Sequence, residues 1–291
     1  MPARGLEYLG GMASGTVVVT GASTGIGQAT ALQLRWLGFD VVAGVRRDED
    51  AERARAHGLA PLMLEVTDAE SIAAAAAEVE SRVGADGLAG LVNNAGIAVG
   101  APIEFLPLAE LRRALEVNLV GQVAVTQAFL PLLRIAQGRV VNIGSIAGRV
   151  ALPLMGPYAA SKFGLEAVSD SLRRELHGQG IEVVVIEPGG ISTPIWEKGV
   201  TSAQRMVDAL PPEGERLYGK LIAAMREQTR KLAEDRALPA SDVASVVASA
   251  LTAPRPRTRY VVGRDAKLRA VLAKRLPDRL FDWLLSRALG L

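Results

Sequence analysis

Short runs rich in β-branched residues alternate along this chain with helix-like stretches, and the alternation restricts the fold more than any other feature. The runs cover residues 16–20, 41–45, 88–93, 139–143 and 181–186, with a weaker one at 61–66 and a late one at 259–262. Their largely apolar character suits strands covered on both faces. Helical spacing fills the intervals at 26–37, 50–57, 69–83, 108–135 (with a break) and 158–177. Thr67, three residues before Glu70, reads as the start of a capping box that opens the third of these helices. Strands and helices in this rhythm specify an α/β fold: a doubly wound parallel sheet with helices on both faces and right-handed crossovers. Residues 190–254 break the rhythm with prolines, charges and helical spacing at 217–232 and 242–251. An insertion after a strand, on the ligand edge of the sheet, is expected to wall a substrate site. Residues 255–291 add the last strand and a tail, and all 291 residues form one unit.

Composition removes several function classes. There are no cysteines, so disulfides, thiol catalysis and cysteine-bound zinc are excluded. Two histidines, His57 and His177, cannot build a multi-histidine metal site, and no metal is expected. Net charge is +2, which argues against nucleic-acid binding. Residues 1–15 hold no apolar stretch of signal-peptide length, and Met12 offers a second start. The uncharged run 117–133 is interrupted by Asn118, Gln122, Thr126, Gln127 and Pro131, so no membrane span is expected and the cytoplasm is the expected location.

The first strand ends in Thr20-Gly-Ala-Ser-Thr-Gly-Ile-Gly27. Gly21, Gly25 and Gly27 allow a tight turn, close approach of a ligand and close packing on the sheet. Ser23, Thr24 and Ile26 lie where the next helix begins and presents its free N–H groups to a pyrophosphate. NAD-preferring sites place an acidic residue at the end of the second strand. Here Val45 takes that place, followed by Arg46 and Arg47. A guanidinium at this point can grip a 2′-phosphate, so NADP(H) is favoured over NAD(H), with either arginine as the contact.

Several motifs in order resemble the short-chain dehydrogenase/reductase family. They are the glycine-rich turn, Asn93-Asn-Ala-Gly96, Asn118, Ser145, Tyr158-Ala-Ala-Ser-Lys162 and Pro188-Gly189, within residues 16–193. The family implies a Rossmann-type fold and hydride transfer between a nicotinamide and a carbonyl or alcohol. It implies that Tyr158 is the acid/base, that Lys162 holds the ribose, that Ser145 bonds the substrate oxygen, and that Asn118 supports a water linked to Lys162. Tyr158 and Lys162 are four apart and share a helix face. An ammonium beside a phenol is expected to lower the tyrosine pKa. By the same resemblance Asn93, Ala95 and Gly96 lie beside the adenosine, and Pro188, Gly189, Ile191 and Thr193 close around the nicotinamide. Glu65 stands where many members carry Asp near the adenine, with the backbone of Val66 as the other contact.

Within the family, residues 169–176 and 186–189 resemble the retinol and hydroxysteroid dehydrogenase branch. Val150, Leu152, Leu154, Met155, Ile191, Ile195 and Trp196 are candidates for an apolar pocket wall. A hydrophobic secondary alcohol or ketone is therefore expected, steroid-like or retinoid-like. A long-chain acyl ketone, a small carbonyl compound, or a nucleotide-sensing role without turnover stand as alternatives. The family commonly pairs two long helices across a two-fold axis. Residues 118–135 and 158–177 would do so here through Val123, Phe129, Phe163, Val168 and Leu172, some of which must face the subunit's own sheet, giving a homodimer or homotetramer. The tail from residue 255 carries ten Arg or Lys against three Asp, and Pro277 divides it into two apolar-faced helices. Its burial partners are the subunit's own substrate cleft, a neighbouring subunit, or, less favoured, a membrane surface. It is expected to pack beside the 190–254 insertion and help enclose the substrate.

Overall fold

Alternate residues of the first strand face opposite layers, and this sets the architecture. Val17 and Val19 pack into one apolar cluster while Val18 packs into another, as the two-residue period of a strand requires. The computed structural model describes residues 14–235 and 237–290; the N-terminal segment with Met12 lies outside them. In chain order the core elements are β1 (Thr16–Val19), α1 (Gly25–Trp36), β2 (Asp40–Val45), α2 (Asp48–Ala56), β3 (Ala60–Met63), α3 (Ala69–Val83), β4 (Leu88–Asn93), α4 (Leu108–Leu115), α5 (Gly121–Ala136), β5 (Arg139–Ile143), α6 (Gly156–Glu175) and β6 (Glu182–Pro188). There follow β7 (Ile191–Ser192), α7 (Pro194–Asp208), α8 (Pro212–Asp235), β8 (Leu238–Pro239), α9 (Ala240–Thr252), β9 (Arg259–Val262), α10 (Arg264–Arg275) and α11 (Asp278–Leu289).

Seven parallel strands form one sheet in the order β3-β2-β1-β4-β5-β6-β9. The order reverses between β1 and β4, and the crevice at the carboxyl ends of those strands is where such sheets bind ligands. On one face α1, α2 and α9 pack through Leu34, Ala54, Val243 and Val247. On the other, α3 and α5 pack through Ile72, Val79, Val125 and Phe129. Phe129, one of the residues considered for a subunit interface, is fully buried against the sheet.

Two local expectations need correction, the cap of α3 and the extent of the insertion. Asp68, not Thr67, caps α3: its Oδ1 accepts from the N–H groups of Glu70 (2.9 Å) and Ser71 (3.4 Å), while Thr67 donates its hydroxyl to Glu65. The insertion is shorter than 190–254. Helix α9 belongs to the core layer, because its apolar side carries Val243, Val247 and Leu251 onto α1 and the sheet; only β7, α7, α8 and β8 stand outside it. The helical stretch Leu108–Ala136 is long and apolar enough, by length and composition, to cross a membrane. Its apolarity serves the core, where Val125, Phe129, Leu132 and Leu133 are buried. In the tail, α10 and α11 send Ala266 and Phe281 to a small cluster with Ile146 and Val150, and α11 packs on α8. Leu268, Val271, Leu280, Trp283 and Leu284 remain exposed, because each short helix offers only one side to the protein.

Phe129 fills the layer between α5 and the sheet. Phe129→Ala should cost about 3–5 kcal/mol of stability through the cavity it leaves, measured by urea unfolding. A loss below about 1 kcal/mol would show that the layer closes around the gap.

Candidate active site

The turn after β1 is shaped for close approach. Gly21 has φ +62°, and a Cβ on it would lie 2.9 Å from Ala95 Cα. A Cβ on Gly27 would collide with the Gly21 carbonyl oxygen. The turn is clamped to the end of β4. Thr20 Oγ1 accepts from the N–H groups of Asn94 (2.9 Å) and Ala95 (3.0 Å), and Asn94 Nδ2 donates to the carbonyls of Thr20 (2.9 Å) and Gly21 (3.1 Å). The outcome is a cleft of about 640 Å³ at the switch point, within the range of ordinary cofactor sites.

Gly21, Ser23, Thr24, Gly25, Ile26, Arg46, Glu65, Val66, Ala95, Gly96 and Thr193 all line this cleft. Arg47 does not: it is the exposed N-cap residue of α2. Asn93 does not either. Its side chain turns into the protein, where Nδ2 donates to Thr126 Oγ1 (2.8 Å) and Asn142 Oδ1 (2.9 Å). Asn94, one residue on, lines the cleft instead. Strand alternation was the available signal, since neighbours in the Asn93-Asn94 pair must face opposite ways. Arg113 and Arg205 also line the cleft from α4 and α7; no local pattern in the sequence marks them. Arg46 Nη1 lies 3.2 Å from Glu65 Oε2, so the longer carboxylate reaches the arginine.

A second, smaller pocket of about 210 Å³ adjoins this cleft, and Thr193 lines both. Ser145, Gly189 and Ile191 line it, as do Val150, Leu152 and Met155 from the expected wall. Leu154 and Ile195 do not: Ile195 lines the larger cleft, and Leu154 occupies a left-handed turn at φ +64°. The side chain of Trp196 lies outside the described residues.

Behind Ser145 sit Tyr158 and Lys162 on α6, both buried at 6% and 5% exposure. Neither lines the cavities; Ser145, hydrogen-bonded to Tyr158, is the member of the set that opens onto the pocket. Lys162 Nζ donates to the Ile143 carbonyl (2.7 Å) at the end of β5 and lies 5.8 Å from the centre of the Tyr158 ring. Burial pulls the lysine down to about 8, with Glu166 one turn away working in the opposite direction. Burial pushes the Tyr158 phenol up, and the Ser145 hydrogen bond returns part of that shift. The expected lowering of the tyrosine by the lysine is thus reversed here. Desolvation of both groups outweighs their mutual effect.

Asn118 lies in a π-helical turn, Glu116–Val120, between α4 and α5. Its Oδ1 accepts from Ile97 N–H (2.8 Å), and its Nδ2 donates to the Ile97 carbonyl (2.9 Å) and Ser161 Oγ (3.0 Å). This side chain ties the cleft wall to α6 and is occupied by protein partners. On the far side of Lys162, Glu166, Glu187, Arg149 and Arg259 form a buried ionic cluster. Arg149 Nη2 is 2.6 Å from Glu187 Oε1, and Arg259 Nε is 2.9 Å from Glu166 Oε2. Burial, then the charge of Glu187, pushes Glu166 up. Among the described residues no cluster of His, Cys, Asp and Glu could hold a metal ion.

A parallel sheet with a glycine-rich phosphate turn at its switch point, and a buried Ser-Tyr-Lys set beside it, defines a nucleotide-dependent dehydrogenase. The short chain dehydrogenase family model matches residues 15–204, and the chain belongs to that family. It resembles the retinol dehydrogenase branch: retinol dehydrogenase 5 of Mus musculus is 41% identical over 285 residues, covering 93% of this chain and 89% of the relative. The NADPH-dependent 3-dehydrocapnine reductase of Ornithobacterium rhinotracheale is 37% identical over 273 residues, covering 91% of this chain and 94% of the relative. Among solved structures, a short-chain dehydrogenase from Streptomyces avermitilis superposes with TM-score 0.77 at 28% identity, covering 94% of this chain and 97% of that one. The protein is therefore an oxidoreductase of the short-chain type.

The buried lysine has a consequence for stability. Its folded pKa of about 8 lies below the unfolded value, which is about 10.4. Between those values the unfolded chain holds the proton that the folded chain has released, so this contribution makes the fold more stable as pH rises through the window. Below pH 8 the full penalty for burying the ammonium applies. Lys162→Met should remove a penalty on the order of 3 kcal/mol at pH 7, and its advantage over wild type should shrink toward pH 10. Urea unfolding at pH 7, 8.5 and 10 measures the difference; an advantage that does not narrow would contradict the shift.

Proposed function

We propose that the protein interconverts a hydrophobic secondary alcohol and its ketone, using NADP(H). The observation that carries this reading is the junction of the two cavities. Ser145, hydrogen-bonded to Tyr158, opens onto a mostly apolar pocket next to a cleft that Arg46 lines. The residues fit a dinucleotide. Gly21 and Gly25 line the cleft without side chains, Gly27 lies behind them where a Cβ would collide with the Gly21 carbonyl and Asn94, and the N-terminus of α1 offers free N–H groups to a pyrophosphate.

A bound nicotinamide would supply the hydride in reduction or accept it in oxidation. The protein's own part is to hold the carbonyl and manage one proton. Ser145 holds the substrate oxygen by a hydrogen bond. Tyr158, kept protonated at neutral pH by its raised pKa, gives that oxygen its proton as negative charge develops there. A donor placed before the reaction needs no reorganisation during it. Lys162, anchored on Ile143, stands ready to bond the ribose and to restore charge balance near the phenolate. Met225 and Thr229 from α8 line one side of the pocket.

For the cofactor, Arg46 supports NADP(H) because it is the cation at the end of β2 that lines the cleft. Glu65 already neutralises it at 3.2 Å. The Glu65 carboxylate would repel a 2′-phosphate held by the remaining donors of Arg46, so Glu65 moderates the preference.

Two measurements test the proposal. Tyr158→Phe should bind cofactor and lose turnover by ~10²-fold or more, the scale of acid/base catalysis; near-wild-type rates across a ketone panel would remove Tyr158 from its role. Arg46→Ala should weaken NADP(H) relative to NAD(H) by roughly 1.5–3 kcal/mol, the scale of a charge-assisted hydrogen bond. Equilibrium binding of both cofactors gives the ratio, and an unchanged ratio would refute the assignment of Arg46.

A further inference from the structure

The small pocket is apolar at its centre but carries one strong cation. Ile146, Val150, Leu152, Met155, Ile191 and Met225 supply its apolar wall. Arg269, from α10, lines the same pocket and is half-buried. No carboxylate lies within salt-bridge distance of Arg269 among the described residues. The acidic residue nearest in sequence on its own helix, Asp265 one turn earlier, forms no ion pair with it: its Oδ1 sits 3.1 Å from where a Cβ on Gly189, another lining residue, would be, and its Oδ2 is buried without a hydrogen-bond partner among the described residues. Every other arginine of this region that is at least half-buried is engaged, Arg149 with Glu187 and Arg259 with Glu166 and Asp170. The natural complement of a guanidinium in a pocket wall is a planar anion held by two hydrogen bonds. Gln228 and Thr229 line the pocket too and add polar groups from α8.

We propose that Arg269 is a substrate-recognition residue, and that the substrate is an amphipathic ketone or alcohol carrying a carboxylate or similar oxyanion. This rests on the oxidoreductase reading, with the reacting oxygen at Ser145. The anionic group pairs with Arg269, and the apolar stretch between the two ends lies on the Val150–Leu152–Ile191 wall. The pocket, of about 210 Å³ and open on one side, leaves room for an apolar stretch between the two ends. Placing the cation on the C-terminal tail also gives α10 a function that its exposed Leu268 and Val271 do not: the tail closes the pocket and reads the end of the substrate.

The test has a binding arm that needs no turnover. Calorimetry with octanoate and with octanamide, on wild type and on Arg269→Met, compares an anionic probe with a neutral one of equal length. Wild type should bind octanoate at least about tenfold more tightly than octanamide, and the Met variant should lose that preference; Arg269→Lys should keep part of it. The second arm measures kcat/KM for a medium-chain keto acid and its primary amide with NADPH. The acid-to-amide ratio should fall by about tenfold or more in Arg269→Met, mainly through KM. Equal binding of the two probes by wild type, or a preference that survives in Arg269→Met, would overturn the proposal. Octanoate selectivity without reduction of any keto compound would uphold the anion site while refuting the oxidoreductase reading of the pocket.

Discussion

The hydrogen bond from Lys162 to the Ile143 carbonyl is the interaction on which the rest of the site depends. It fastens α6 to the end of β5, and so places Tyr158 against Ser145, which follows β5 directly. Burying an ammonium is expensive, and three features of the fold offset part of that cost. The Ile143 carbonyl, at the end of β5, accepts from the ammonium at 2.7 Å. Glu166 supplies negative charge one turn along the same helix. Beyond it, Arg149 and Arg259 hold Glu166 and Glu187 in place. The lysine is therefore one end of a buried ionic row that reaches the last strand through Arg259.

A second polar thread runs through the sheet. Asn93 on β4 donates to Asn142 on β5 and to Thr126 on α5, and Asn142 donates to Ser169 on α6 (2.8 Å). Buried side-chain bonds of this kind tie strands and helices together, and Asn93 Oδ1 alone of this thread has no hydrogen-bond partner among the described residues. The thread holds α5 and α6 in register beneath the two cavities. Asn118 completes the frame from the π-helical turn by joining Ile97 to Ser161. A register change inside a helix is where such a side chain can be turned inward.

Much of this was legible in the sequence, for physical reasons. β4 and β5 fall where β-branched runs predict them, because a strand buried on both faces must be largely apolar; β9, at the sheet edge, falls where its run predicts it although it is only partly buried. The glycine turn was legible because few other residues can occupy it. What escaped the sequence depends on direction and distance. Periodicity does not say that α9 is a core helix rather than part of the lid, since both are amphipathic. It does not reveal that Asp68 rather than its neighbour Thr67 caps α3, because either side chain can accept from the first turn. The spacing of Tyr158 and Lys162 places them on one face but carries no information on burial, and burial reverses the expected shift of the phenol. Arg113, Arg205 and Arg269 approach the cavities from separate helices, where only the tertiary fold brings them near.

The central claim is that Lys162 is a buried cation whose protonation the fold has brought close to neutrality. The most direct measurement is a pH titration of the lysine side chains by NMR on protein labelled with ¹³C-lysine, with the Lys162→Met variant assigning the signal. The account predicts a midpoint near 8 for Lys162 in the protein without cofactor. A midpoint at the ordinary lysine value of about 10.4 would show a solvated ammonium and contradict the account.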